Sequence, residues 1–174
     1  MKKAAVFIII LIVVAVASIF LFVKIKPSMI NITSPAFKNG GTIPSKYTCD
    51  GENINPPILI DGVSESTKSL VLIVDDPDAP VGTFNHWLIW NIDPKTNEIK
   101  ENSRPPEAIT GTNSAGLLKY TGPCPPSGTH RYFFKIYALD TILGLSGAAA
   151  KQDVEGAMKN HIIDSGELMA KYSR

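Results

Sequence analysis

The chain has 174 residues, 44% of them hydrophobic, with 17 Lys and Arg balanced by 16 Asp and Glu. That near-neutral balance argues against a nucleic-acid-binding body, which needs surplus cations to neutralise phosphates. The length suits one domain with a real core.

Met1-Lys2-Lys3 precede a charge-free apolar run from Ala4 to Val23, and Lys24-Ile25-Lys26-Pro27 end it. A run of about 20 residues is what a helix needs to cross a bilayer core. Residues 1–26 therefore read as a signal-anchor, a single N-terminal transmembrane helix inserted through residues 4–23. The competing reading is a signal peptide cleaved after Ala15-Val16-Ala17, which would release a secreted domain. Ile19-Phe20-Leu21-Phe22-Val23 argues against cleavage, because it would become a greasy new terminus. Lysines flank both ends and nearly cancel as an orientation signal. A membrane-anchored, extracytoplasmic domain is the expectation. Those 26 residues hold four lysines and no acid, so residues 27–174 keep 13 basic and 16 acidic side chains. This remainder has no polybasic cluster for anionic lipid.

Beyond the anchor there is no internal repeat and no linker for a second domain, so residues 27–174 form one domain. Proline and glycine punctuate short apolar runs, which predicts a β-rich body. Pro57–Ile60 is a weak strand candidate. Lys68–Asp75 is a buried, β-branched strand ending at a proline turn, and His86–Ile92 is the next. Thr129–Leu139 is the longest, with His130, Tyr132, Phe134 and Ile136 on one face by period-two alternation. Trp87 and Trp90 fall on opposite faces of their strand. Val154, Ala157, Met158 and Ile162 follow helical spacing and predict a helix over roughly 149–162, carrying His161. Glu167–Tyr172 reads as a short closing strand. The fold class is mainly β, antiparallel, with one or two peripheral helices.

The candidate chemistry gathers at strand ends. Asp75-Asp76-Pro77-Asp78-Ala79-Pro80 is a proline-stiffened turn, and a strand–loop–strand return brings His86 near Asp76 and Asp78. The rigid Gly122–Gly128 segment leads into His130 and Tyr132. For each histidine the plainer reading is a structural hydrogen bond, and for His161 that reading wins. An imidazole near carboxylates has its charged form favoured, so imidazolium, phenol and backbone amides suit a phosphate or carboxylate. Cys49 and Cys124 allow one disulfide, with two separate buried thiols as the alternative. No cofactor motif is present. Gly144-Leu145-Ser146-Gly147-Ala148 lacks a glycine for a nucleophile elbow, and there is no P-loop or dinucleotide fingerprint.

Asp76-Pro77-Asp78-Ala79-Pro80, His86, Gly122-Pro123 and Gly128-Thr129-His130-Arg131-Tyr132 resemble the signature segments of the phosphatidylethanolamine-binding protein family. Tyr47-Thr48-Cys49-Asp50-Gly51-Glu52-Asn53, Pro56-Pro57 and Gly122-Pro123-Cys124-Pro125-Pro126 resemble its bacterial and archaeal, Raf-kinase-inhibitor-like branch. The resemblance spans Ile30 to the end of the chain. It implies a β-sandwich with a small anion site lined by Asp76, Asp78, His86, His130 and Tyr132, with the Gly122 backbone beside it. Gly111–Tyr120 departs from the family's usual Gly-Tyr-Gly-Gly approach to that rim.

The leading expectation is a membrane-tethered binding module for a phosphorylated small molecule, phosphopeptide or phospholipid headgroup. Serine protease inhibition is the alternative, and a kinase enters as a partner through the family label alone. A third class is a hydrolase or metal-dependent enzyme using the same Asp/His cluster.

Overall fold

The computed structural model describes residues 30–174. Nine elements follow in chain order: β1 (Asn31–Thr33), β2 (Ile58–Asp61), β3 (Ser69–Asp76), β4 (Phe84–Ile92), β5 (Glu98–Ile99), β6 (Ile109–Thr110), β7 (Thr129–Leu139), α1 (Lys151–Met158) and β8 (Ile162–Ser173). A 3-10 turn covers Ser45–Tyr47. The strands form two antiparallel sheets, ordered β1-β2-β5 and β6-β4-β3-β7-β8.

The centre of the larger sheet is β3, whose eight residues are all buried. Its apolar side chains feed two cores because alternate residues face opposite sides. Leu70, Leu72 and Val74 join Trp87, Ile89, Phe134 and Ile136 in the main core, closed from the small sheet by Ile32, Ile58, Ile60 and Ile99. Val71 and Ile73 face the other way, onto Leu88, Trp90, Leu139 and the α1 residues Val154 and Met158. Each fully buried aliphatic or aromatic side chain contributes about 1.5–3 kcal/mol. Both tryptophans are core residues on opposite faces of β4, as their spacing predicts.

The mainly-β antiparallel sandwich agrees with expectation, but its preceding transmembrane helix is corrected. No helix among the described residues is long and apolar enough to cross a membrane. The α-helix described there, Lys151–Met158, has eight residues, or about 12 Å, against a hydrocarbon core of about 30 Å. Residues 1–26, where that helix was placed, lie outside the described residues.

Two boundaries also differ. The helix ends at Met158, because Asn160 adopts φ 70°, in the left-handed region that stops a helix. Ile162 belongs instead to β8, which pairs with β7 from Thr129↔Ser173 to Leu139↔Ile162. The closing strand is thus twice the expected length. His161 sits in the connecting turn, where its Nδ1 is 2.8 Å from Asp140 Oδ1.

Candidate functional site

The end of β3, the start of β4 and the start of β7 meet around a cavity of about 180 Å³. Its lining comprises Asp76, Ala79, Pro80, Val81, Phe84 and His86 from the β3–β4 hairpin, and Thr121, Gly122, Cys124, Pro125, Pro126 and His130 from the opposing side. A β-bulge makes this possible. Val74 pairs with Trp87 while Asp75 pairs with Asn85, so His86 is an extra residue in β4. Simple alternation would send His86 and Trp87 to opposite faces; the bulge turns His86 toward the Asp76 side. There its ring lies 4.7 Å from Phe84 and 5.3 Å from Tyr132, centroid to centroid.

Asp76 is the anchor of the site. Its Oδ2 is 2.7 Å from His130 Nδ1, and its Oδ1 accepts the Asp78 amide at 2.8 Å. Asp76 and His130 are both buried. The carboxylate therefore holds a proton on His130 Nδ1, and in the neutral ring Nε2 is an acceptor. His86 Nδ1 stands 2.6 Å from the Thr121 carbonyl oxygen, which can only accept. That contact puts the proton on Nδ1 and makes Nε2 of the neutral ring an acceptor too. His86 Nε2 and Tyr132 Oη are both buried without a hydrogen-bond partner. Burial raises the pKa of the Tyr132 phenol, and the negative charge of nearby Asp76 adds to that shift.

The expectation of a cationic imidazole is corrected for His86. Burial pushes its pKa below the ordinary value, outweighing the Thr121 carbonyl and the Asp76 and Asp75 charges that push it up. This has a sign. The unfolded chain takes up the proton at about pH 6.5, before the folded chain does. The stability is therefore fully present above that pH and falls as pH drops toward the folded value. Urea midpoints measured between about pH 8 and pH 5 should fall more for the wild type than for His86→Asn. Parallel curves would show that the imidazole is not held neutral.

Asp78 is placed beside the cavity rather than in its lining. Its Oδ2 accepts the Arg131 amide and Nε, each at 2.9 Å, and its Oδ1 accepts Nη2 at 2.7 Å. The fork on Arg131 lowers its pKa to about 2. Tyr132 stands behind the lining, between the two imidazoles.

Gly122 lines the cavity, but its amide donates 2.7 Å to Asn53 Oδ1. A Cβ on Gly122 would come 2.5 Å from the Tyr47 carbonyl oxygen and 2.8 Å from Asn53 Oδ1, so no other residue fits without movement. Asn53, in the left-handed region at φ 58°, was not singled out from sequence. Its only signal was its place in the Tyr47–Asn53 motif. Asn113 was missed as well: its Nδ2 donates to the carbonyl of Lys119 and to Thr121 Oγ1, both at 2.9 Å, fixing the rim.

Cys49 and Cys124 form a disulfide with Cα atoms 5.4 Å apart. It joins the 48–53 loop to the cavity rim, supported by the Cys49 amide donating 3.1 Å to the Pro123 carbonyl. Arg174 adds a further tie, with Nη2 3.1 Å from Asp50 Oδ1 and Nη1 3.4 Å from Cys124 Sγ.

The family model described as phosphatidylethanolamine-binding protein matches residues 33–173. A UPF0098 protein of Methanothermobacter thermautotrophicus is 50% identical over 149 residues, covering 83% of this chain and 99% of that protein. Another, from Archaeoglobus fulgidus, is 51% identical over 145 residues, 80% of this chain, which spans half of that protein's length. Two crystal structures share the fold. The putative phosphatidylethanolamine-binding protein homolog of Chlamydia trachomatis has TM-score 0.81 at 40% identity, covering 84% of this chain and 99% of that one. YbcL of E. coli, described as a member of the mammalian family, has TM-score 0.79 at 28% identity, with the same coverages. By sequence and by fold, this chain belongs to the phosphatidylethanolamine-binding protein family.

Proposed function

We propose that the chain is a binding protein whose Asp76/His86/His130 cavity takes the phosphate group of a larger ligand. The observation that carries this reading is the pair of buried polar atoms without partners, His86 Nε2 and Tyr132 Oη, beside the Asp76–His130 pair. Leaving such an atom unpaired costs about 1–3 kcal/mol, so a ligand that pairs them recovers that energy. A cavity of 180 Å³ is smaller than the roughly 300–1,000 Å³ of pockets that enclose a whole ligand. It fits a head group, with the rest of the ligand left against Pro80, Val81 and Pro126 at the rim.

Binding is favoured over hydrolysis by what surrounds the dyad. His130 has its orienting carboxylate, but acyl or phosphoryl transfer also needs a positioned nucleophile. Among the lining residues, the Thr121 hydroxyl is engaged by Asn113 and the Cys124 sulfur is in the disulfide. For a metal-dependent reaction, no group of three or more His, Cys, Asp or Glu suited to hold an ion occurs among the described residues.

The test is a titration with phosphoethanolamine, a phosphotyrosine peptide and phospholipid vesicles, following the histidine ring signals by NMR. Saturable shifts at His86 and His130, with His161 unmoved, are expected. His130→Ala should weaken binding at least tenfold. The arm that saturates lowest identifies the ligand source. No shift with any of the three would remove the reading.

A further inference from the structure

The hydrogen-bond roles inside the cavity restrict which anion it can take, on the reading that it is an anion site. With the Thr121 carbonyl accepting from its Nδ1, the neutral His86 ring presents an Nε2 lone pair, while the Asp76 carboxylate accepts from His130 Nδ1. Tyr132 Oη is the hydroxyl beside them. The Gly122 amide is already used by Asn53, and no Lys or Arg is among the lining residues. The nearby guanidiniums are committed elsewhere, Arg131 to Asp78 and Arg174 to Asp50 and Cys124. For an oxyanion site this inventory is unusually rich in acceptors. An anion with no proton of its own would set an oxygen against the His86 lone pair in a walled, apolar cavity. An anion that brings a proton can donate it to His86 Nε2 and accept from Tyr132 Oη, pairing both buried atoms at once.

We infer that the cavity selects an oxyanion carrying a proton, such as the monoanion of a phosphate monoester, over proton-free oxyanions of similar size, such as sulfate or a phosphodiester. The occupied site then holds one proton shared between the ligand oxygen and His86 Nε2. The groups that bear on that proton are few. Asp76 faces His86 from β3, with Asp75 behind it on the other face of the sheet; His130 and Tyr132 face it from β7. From the rim, Thr121, Gly122, Cys124, Pro125 and Pro126 bring no titrating side chain, since Cys124 is bonded. Burial disfavours an imidazolium at His86 in the empty site, so a proton-free anion would have to bring in that proton at a cost that the monoester avoids.

Calorimetric titration of the full-length chain with methyl phosphate, dimethyl phosphate and sulfate, each between about pH 5.5 and pH 8, tests this. The second ionisation of a phosphomonoester lies near pH 6. Dimethyl phosphate is the informative control, because it is a monoanion without a hydroxyl. The expected result is methyl phosphate at least tenfold tighter than either competitor at about pH 6. Its affinity should then fall about tenfold per pH unit above about pH 7. Sulfate or dimethyl phosphate within twofold of methyl phosphate overturns the selectivity while leaving an anion site. A methyl phosphate affinity that stays flat across the range overturns the shared proton. Absence of binding by all three overturns both this inference and the anion reading beneath it.

Discussion

Breaking the Cys49–Cys124 bridge is expected to lower the unfolding free energy by about 4 kcal/mol and to weaken ligand binding together with it. The bridge closes a long loop, its ends separated by 75 positions in the sequence. Chain-entropy arguments assign such a closure about 4.5 kcal/mol at 25 °C, acting mainly on the unfolded state. Native-state ties reduce the loss of local order, though not the entropic term. When the bridge is cut, the Cys49 amide still meets the Pro123 carbonyl, the Gly122 amide still meets Asn53, and Tyr172 Oη still donates 2.7 Å to Asp50. The rim should therefore loosen rather than detach. Denaturant midpoints of the native protein, the thiol-reduced protein and the Cys49→Ala/Cys124→Ala double variant measure the effect. Reduced and double-variant proteins should agree with each other and lie well below native. A difference from native under about 1 kcal/mol would mean that the remaining contacts already restrict this loop in the unfolded chain.

The disulfide also marks a limit of sequence reading. Cys49 and Cys124 allowed one pairing, but the Cα separation that decides between bridge and separate thiols depends on how two loops pack. The strands show the same division. β3, β4 and β7 were legible because β-branched and aromatic residues run continuously between turn signals, and the bounds of β7 match at both ends. β1, β5 and β6 are two or three residues long, too short for a period to register. Ile162 was misassigned because it continued the helical spacing of Val154 and Met158. What ends that helix is the left-handed conformation of Asn160, a property set by the start of β8 pairing with β7.

The site divides in a related way. Asp76, His86 and His130 were legible because the proline turn and the rigid glycine-proline segment place them at strand ends, and the structure brings all three to one cavity. Proximity was legible; role was not. Asp78 looked equivalent to Asp76 from the turn, yet its carboxylate points to Arg131, a residue on the solvent-facing side of β7. Burial of His86 reversed the expected direction of its pKa, and burial depends on the whole sandwich. The β-bulge that turns His86 into the cavity comes from strand register, which spacing alone does not carry.

Asp76 is where stability and selectivity should separate most clearly under mutation. Asp76→Ala removes the acceptor for His130 Nδ1 and for the Asp78 amide at a position only 3% exposed. Two polar groups lose their partner inside the fold, for a cost of about 2–4 kcal/mol. Asp76→Asn is different. Its amide oxygen can still accept from the Asp78 backbone, and its amide nitrogen then faces His130 Nδ1. That nitrogen is a donor, so the neutral ring must accept at Nδ1 and carry its proton on Nε2. The substitution thus fixes an N–H donor at Nε2 of the neutral His130 ring while keeping side-chain shape, and should cost only about 1 kcal/mol because the lost contact is replaced. If the cavity discriminates by proton bookkeeping, Asp76→Asn should admit sulfate and dimethyl phosphate at least fivefold more tightly than the wild type, even where methyl phosphate binding changes little. Asp76→Ala, by contrast, should lose affinity for all three along with its stability. Equal losses for all three anions in Asp76→Asn would instead assign the carboxylate a purely structural role.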